Sequence, residues 1–478
     1  MSGTAQNSAM LRIQSLLDEN SFVEIGGMIT ARATDFNLQQ KKTPADGVIT
    51  GYGVIDGNLV YIYSQDASVL NGSIGEMHAK KIVRIYEMAM KMGAPVIGLI
   101  DCAGLRLQEA TDALNGFGEI YLKQSLASGV IPQITAIMGN CGGGVAIMPT
   151  LTDFTFMEES KAKLFVNSPN SLEGNIQDKF NTSSAKFQSE ESGIVDFIGS
   201  ESEIFEQIRQ LIKVLPASNK DTLQYEECTD DLNRVCQELE NCIGDTSILI
   251  SNIADDNVFI EVKSNIDKSM ITGFIRLNGV TIGCLANRTQ VFALDGTIDK
   301  EFDSVLSPSG CEKAAKFVNF CDAFNIPILS FTNVTGYDAS IASEKSIAKA
   351  VAKLTYSFAN ANVPKVNVII GKAFGSAYIT MNSKAIGADI VYAWPSAEIG
   401  MMDAKLAAKI MYADENVIVM NEKASEYREL QSSALSAAKR GYVDSIIEAK
   451  DTRKYVIGAF EMLFTKKEDR PNKKHGTV

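Results

Sequence analysis

Histidine is almost missing from this chain of 478 residues: only His78 and His475 occur. So few imidazoles argue against a histidine-based nucleophilic triad and against a zinc site. Eight cysteines, at positions 102, 141, 228, 236, 242, 284, 311 and 321, form no C-x-x-C pair. Scattered in this way through a large chain, they are expected as buried free thiols. Basic excess is absent too: the net charge of −13 argues against a nucleic-acid partner, whose phosphates need a basic footprint. It leaves room for a local basic site that takes a phosphorylated small molecule. No stretch is long enough to span a bilayer, and "MSGTAQNSAMLRIQSLLDEN" has no signal-type apolar core, so a cytoplasmic, non-membrane-spanning chain is expected. Its chemistry must use few conventional acid–base groups.

What is present is length, apolar content and glycine. With 45% hydrophobic and 22% charged residues the composition is that of an ordinary globular protein, too long for one ordinary domain. The chain is also written twice. "LLDENSFVEI" (16–25) returns as "IADDNVFIEV" (253–262), "ITGYGVIDG" (49–57) as "ITGFIRLNG" (271–279), and "GAPVIGLIDCAG" (93–104) as "NIPILSFTNVTG" (325–336). Pro95 to Pro132 spans 37 residues, and so does Pro327 to Pro364. Two homologous halves are therefore expected, 1–243 and 244–478, meeting in the polar stretch 216–246. In each, helices such as 78–93 and 119–129 alternate with short apolar strands, which predicts an α/β fold with mostly parallel sheets covered by helices.

"MGNCGGGVAIM" (138–148) ends one of these strands. A P-loop would need a Lys-Ser/Thr pair after Gly144, where Val145 and Ala146 stand; a dinucleotide fingerprint would need G-x-G-x-x-G. Two readings remain: a tight packing turn, or an oxyanion hole in which adjacent backbone N–H groups face a carbonyl oxygen that becomes negative. The repeat places "GKAFGSAYITM" at the same offset, with Gly375 for Gly143 and Ser376 for Gly144. Two such turns suggest two oxyanions, and hence transfer between two carbonyl-type groups.

Those residues, together with "YIYSQDASVLNGSIGEMHAKKI", "FVNFCDAFNIPILSF", "YAWPSAEIGMM" and "RGYVDSIIEAKDTR", resemble the carboxyltransferase component of biotin-dependent acyl-CoA carboxylases of the propionyl-CoA carboxylase β type, and the related subunits of biotin-dependent decarboxylases. The resemblance runs from about residue 11 to "KKHG" at 473–476. It implies two crotonase-like (ClpP/crotonase) domains in tandem, a homohexamer, and an acyl-CoA thioester as substrate. Gly143 and Gly144 match the acyl-CoA oxyanion hole; Ser376 and Ala377 match the one facing the biotin ureido oxygen. Gly104, Gly142, Gly336, Gly375, Tyr378 and Ile379 are implied as the accompanying cofactor-binding positions, with the acyl pocket or plain helix core as the two readings of Tyr378 and Ile379.

The resemblance further implies that biotin itself serves as the base, which accounts for the scarcity of histidine. "EMAMKMG" (87–93) falls on an expected helix, not in the hairpin of a biotin attachment site. The biotin carboxyl carrier protein, with a biotin carboxylase or a membrane decarboxylase subunit, is thus expected as a separate chain, and no metal is expected. The reaction runs as carboxylation, or as decarboxylation of methylmalonyl-, malonyl- or glutaconyl-CoA; a non-catalytic homologue that keeps CoA-ester binding is the other class. The second half departs most from the family: Ser376 stands where a glycine is usual, Thr289 replaces a proline, and 333–358 lacks the family's further Pro-Gly pairs. In the first half Ala103 and Leu105 replace Gly and Ala. Arg106, His78 and Cys141 are expected in structural roles: a salt bridge, a helix position and a packing thiol.

Overall fold

Pro95, Pro132, Pro327 and Pro364 each stand at the entry to a run of aliphatic residues, a position where a missing N–H costs the sheet nothing. Each proline carbonyl accepts the first ladder bond from the neighbouring strand: Pro95 from Tyr61, Pro132 from Val96, Pro327 from Gly283 and Pro364 from Ile328. The strands that follow are buried on both faces, so they read as continuous apolar runs without alternation. The computed structural model describes residues 8–32, 41–173, 175, 180–221, 226–293 and 295–468. His475 and the "KKHG" tail lie outside these.

The chain divides into two compact units, Met1–Thr222 and Leu223–Val478. The polar segment before residue 243 packs with the second unit, since Cys236 and Leu239 belong to its core.

The first unit's sheet holds β1 (Val23–Glu24), β2 (Val48–Ile55), β3 (Asn58–Gln65), β4 (Val96–Cys102), β5 (Gln133–Gly142), β6 (Phe154–Glu158), β7 (Lys163–Phe165) and β8 (Phe197–Gly199). Their order is β1-β2-β3-β4-β5-β6-β8, with β7 against the end of β5. β1 to β3 are antiparallel, and every pairing from β3 onward is parallel. Helices Glu76–Met92 and Ala110–Ala127 lie between strands in the chain, and Ile82, Ile85, Tyr86 and Ile120 join Val96, Ile100 and Ile137 in the core. The second helix begins nine residues before the expected 119, because Gly116 and Gly118 dilute its helical signature; at Gly116 a Cβ would come within 2.7 Å of Ala79.

The second unit repeats this plan with β9 (Ile260–Glu261), β10 (Met270–Leu277), β11 (Val280–Asn287), β15 (Ile328–Val334), β17 (Lys365–Phe374), β18 (Ile390–Ala393), β19 (Glu398–Gly400) and β20 (Ser445–Ile446). Their order, β9-β10-β11-β15-β17-β18-β20 with β19 on β17, is the first sheet's order strand for strand. Between β11 and β15 it adds the hairpin β12 (Gln290–Phe292) with β13 (Ile298–Glu301) and the strand β14 (Val305–Leu306), which pairs with β16 (Gly336–Tyr337), just after β15. The repeat offset accordingly rises from 222 residues at Val48/Met270 to 232 at Val96/Ile328.

Candidate active site

Both central strand pairs break register at the same point. β4 and β5 pair 37 residues apart up to Ile100↔Ile137, then jump to Cys102↔Cys141. β15 and β17 do so up to Thr332↔Ile369, then jump to Val334↔Ala373. The residue inside each break bridges the gap: Asp101 Oδ1 accepts from the Asn140 N–H at 3.3 Å, and Asn333 Oδ1 accepts from the Lys372 N–H at 3.0 Å. A Cβ at Gly139 or Gly371 would sit 2.1 or 2.6 Å from that oxygen, so each bridge needs its glycine. Behind the break, Gln65 Oε1 accepts from the Asp101 N–H and Asn287 Oδ1 from the Asn333 N–H, at 3.2 and 3.1 Å.

The bulges aim the ends of β5 and β17 into tight turns. Gly143 has φ 63° and Gly375 has φ 62°, a left-handed conformation that side chains disfavour. Helical structure starts there: a turn at Gly143–Ala146 leads into Ile147–Thr150, and the helix Gly375–Thr380 follows β17. The first N–H groups of such a start have no intrahelical acceptor, so Gly143 and Gly144, and likewise Ser376 and Ala377, can donate to a ligand. Around Gly143 a Cβ would meet nothing within 4 Å, which leaves the approach open. Gly144 is hemmed in by Phe117 and by Tyr121, whose hydroxyl donates to the Gly144 carbonyl at 2.5 Å. This fixes the peptide that links Gly144 to Val145.

The remaining candidate residues sort by place. Gly104 lies against the first turn, with the Gly142 carbonyl the nearest atom to its Cβ position at 4.0 Å. Its own N–H goes to Cys102 Sγ and its carbonyl to the Ile74 N–H, so it shapes the site without a free polar group. Gly142 packs on the Phe165 ring. In the second unit Gly336 has open space where a Cβ would be, and its neighbour Tyr337 reaches the Ser376 hydroxyl at 2.9 Å. Tyr378 is buried, which pushes its phenol up to about 12, whereas Ile379 is exposed.

Arg106 is the hub of a buried ion cluster, donating to Asp46 Oδ1 at 2.6 Å and to Glu109 Oε1 at 2.7 Å. His78 is fully buried beside it and held neutral: Nδ1–H donates to the Asp46 carbonyl, Nε2 accepts from Gln65, and burial keeps its pKa well below the usual histidine range. Cys141 is fully buried too, which pushes its thiol far up. All three are structural, as expected.

A cleft of about 720 Å³ opens beside the first turn, walled by Asn140, Lys163, Phe165, Ser168, Asn181 and Ser183. Sequence reasoning missed Lys163; β7 brings it opposite Asn140, one strand from the turn. Tyr121, Asp101, Asn333 and Tyr337 were missed as well, since each acts through a partner far along the chain. Among the described residues no group of His, Cys, Asp and Glu is arranged to hold a metal ion.

Residues 4–478 match the carboxyl transferase domain. The methylmalonyl-CoA decarboxylase subunit alpha of Propionigenium modestum is 39% identical, over 98% of this chain and 93% of its own length. The propionyl-CoA carboxylase beta chain of Roseobacter denitrificans is 39% identical, over 100% of this chain and 94% of its own. A solved structure of transcarboxylase 12S, a hexamer assembly with methylmalonyl-CoA and methylmalonic acid bound, superposes with a TM-score of 0.91 at 35% identity, covering 98% of this chain and 92% of that one.

Proposed function

This chain belongs to the carboxyl transferase family, and on that premise we propose that it is the acyl-CoA carboxyltransferase component of a biotin-dependent carboxylase or decarboxylase. The observation that carries the reading is the pair of equivalent turns, each starting helical structure, whose first N–H groups lack an intrahelical acceptor, beyond a bridged strand break.

The first turn serves the acyl-CoA. When the α-carbon gains or loses a carboxylate, negative charge develops on the thioester oxygen, and the N–H groups of Gly143 and Gly144 stabilise it. Donors set in place before the reaction contribute on the order of 3 kcal/mol each. The adjoining cleft takes the rest of the substrate, with Lys163 in its wall as a cation for a CoA phosphate.

The second turn fits biotin by the chemistry of its donors. Backbone N–H groups at Ser376 and Ala377, a hydroxyl pair, and the open space at Gly336 suit a neutral ureido oxygen that becomes more negative. Biotin on a carrier would supply the carboxyl-bearing nitrogen and the base, and this chain's residues would hold the oxygen. The reading extends to two crotonase-like domains, supported by the shared strand order. It also extends to a cytoplasmic homohexamer working with a biotin carboxyl carrier protein and a biotin carboxylase or membrane decarboxylase subunit. No described helix is long and apolar enough to cross a membrane.

The test is to incubate the purified chain with free biotin and methylmalonyl-, malonyl- or glutaconyl-CoA, and to follow decarboxylation. Biotin-dependent turnover that is lost in Gly143→Val supports the reading. CoA-ester binding without turnover, even with a biotinylated carrier, would overturn it in favour of a non-catalytic subunit.

A further inference from the structure

The two turns differ in one chemical respect. The first presents only backbone: Gly143 and Gly144 carry no side chain, and the residue after Gly104 is Leu105. The second carries Ser376, with the Tyr337 hydroxyl donating to its Oγ at 2.9 Å. Ser376 is exposed at the second position of the helix Gly375–Thr380. A serine near a helix start usually satisfies itself on local backbone, yet among the described residues Tyr337 is the partner given to its side chain. Its carbonyl is engaged separately, accepting from Thr380 Oγ1.

Tyr337 is held firmly. β16 pairs in parallel with β14, placing Tyr337 opposite Leu306, and the Asp338 N–H donates to the Leu306 carbonyl. Asp338 then accepts from the Ser340 N–H at 3.0 Å and from the Ser343 hydroxyl, which ties the chain beyond Tyr337 to the short helix Ile341–Glu344. A hydroxyl has one proton to donate and two lone pairs to accept with. Because Ser376 Oγ accepts from Tyr337, its own O–H is directed away from the ring, and successive hydroxyls polarise one another in the donor direction.

We propose that the Ser376 O–H is a third donor of the second turn, acting with the Ser376 and Ala377 N–H groups on the ureido oxygen, and that Tyr337 is the positioning residue that orients it. This rests on the reading of that turn as the biotin-facing one. It explains why a side chain is tolerated where the first unit has glycine: the serine adds a hydrogen bond to the oxyanion site instead of only narrowing it. No bond is made or broken at either hydroxyl; both act by hydrogen bonding.

Tyr337→Phe removes only the phenolic oxygen, and Ser376→Ala only the serine oxygen; Ser376→Gly restores the arrangement of the first turn. The dissociation constants of free biotin and of methylmalonyl-CoA are measured by titration calorimetry, with kcat and KM for biotin-dependent decarboxylation and the thermal midpoint of each variant. Ser376→Ala and Ser376→Gly are expected to lower kcat by about ten- to a hundredfold and to weaken biotin binding, with the CoA-ester dissociation constant unchanged. Tyr337→Phe is expected to do the same to a smaller degree. The Tyr337→Phe/Ser376→Ala double variant should be no worse than Ser376→Ala alone, because Tyr337 acts through Ser376; a merely structural tyrosine would give additive losses.

Ser376→Ala or Ser376→Gly at or above the unsubstituted rate would overturn the proposal, showing a hydroxyl that only obstructs. Should Tyr337→Phe fail to fold, the Ser376 variants decide alone. An unsubstituted chain that neither binds biotin nor turns over with it would overturn the functional reading and this proposal together; losses confined to the variants' predicted pattern would support both.

Discussion

Asp101 and Asn333 do the same job in the two units, one with a carboxylate and the other with an amide: each accepts a backbone N–H across the break in its strand pair. The shared task is geometric, since one side-chain oxygen replaces the ladder bond that the register jump removes. The charge at Asp101 has a further use, because its Oδ2 accepts from Arg12 Nη1 at 3.3 Å.

Asp101→Asn should therefore keep the first turn, as Asn333 does in the second, and lose only the Arg12 pairing. Asp101→Ala should leave the Asn140 N–H without its acceptor. We expect Asp101→Asn to cost under about 1 kcal/mol and Asp101→Ala about 2 kcal/mol or more, with turnover collapsing only in the latter. Urea unfolding and steady-state kinetics on both variants check this; equal activity losses would show that the charge, not the bridge, matters.

Gly143 and Gly144 should respond differently to a side chain. At Gly143 the space is open but φ is positive, so Gly143→Ala is expected to cost about 1 kcal/mol of backbone strain. Its turnover should fall about a hundredfold as the N–H groups are re-aimed. At Gly144 a Cβ lands 3.0 Å from Phe117 and 3.1 Å from Tyr121, so Gly144→Val should lower the thermal midpoint as well. Thermal melts alongside kinetics separate the two.

Lys163 is exposed in the cleft beside the first turn. If it meets a CoA phosphate, Lys163→Ala should raise KM for the acyl-CoA several-fold with kcat nearly unchanged, because that contact is equal in ground and transition states. The effect should shrink at high salt. A KM unchanged at low salt would remove Lys163 from the substrate path.

His78 makes stability depend on pH in a defined direction. Folded, it is held neutral well below the usual pKa; unfolded, it protonates near 6.5. Below pH 6.5 the unfolded chain therefore binds a proton that the folded chain refuses, so stability falls as pH drops, by about 1.4 kcal/mol per pH unit until the folded pKa is reached. Asp46, raised by burial, works the other way over a window that begins at its usual value and extends upward. With His475 the only other histidine, the difference between the unsubstituted protein and His78→Gln isolates the His78 contribution. Urea midpoints from about pH 5 to 6.5 should slope downward toward acid in the unsubstituted protein and lose that slope in His78→Gln.

Much of this was legible in the chain itself. The internal repeat, the equal proline spacing and the apolar runs follow from local patterns, and they predicted two α/β halves, each with a glycine turn after a strand. The glycines at 143 and 375 were legible because a positive φ demands a particular residue type. The start of the helix at Ala110 was not, since Gly116, which lets a neighbouring helix approach, and Gly118 weaken the local signal.

The partners across the strand breaks could not be read in the same way. Gln65 meets Asp101 and Asn287 meets Asn333 only because parallel strands bring distant residues into register, and Tyr337 meets Ser376 only because β16 comes beside the helix Gly375–Thr380; nothing in their own neighbourhoods marks them. Periodicity and residue-specific backbone demands are local physics, and the sequence determined them alone. Which donor each turn presents, and what holds it, was decided by tertiary structure, because a hydrogen bond needs two groups within about 3 Å and the chain sets that distance only once folded. The quoted run "MGNCGGGVAIM" thus announced a bare-backbone turn, while the folded second unit added to its counterpart the hydroxyl that the first one lacks.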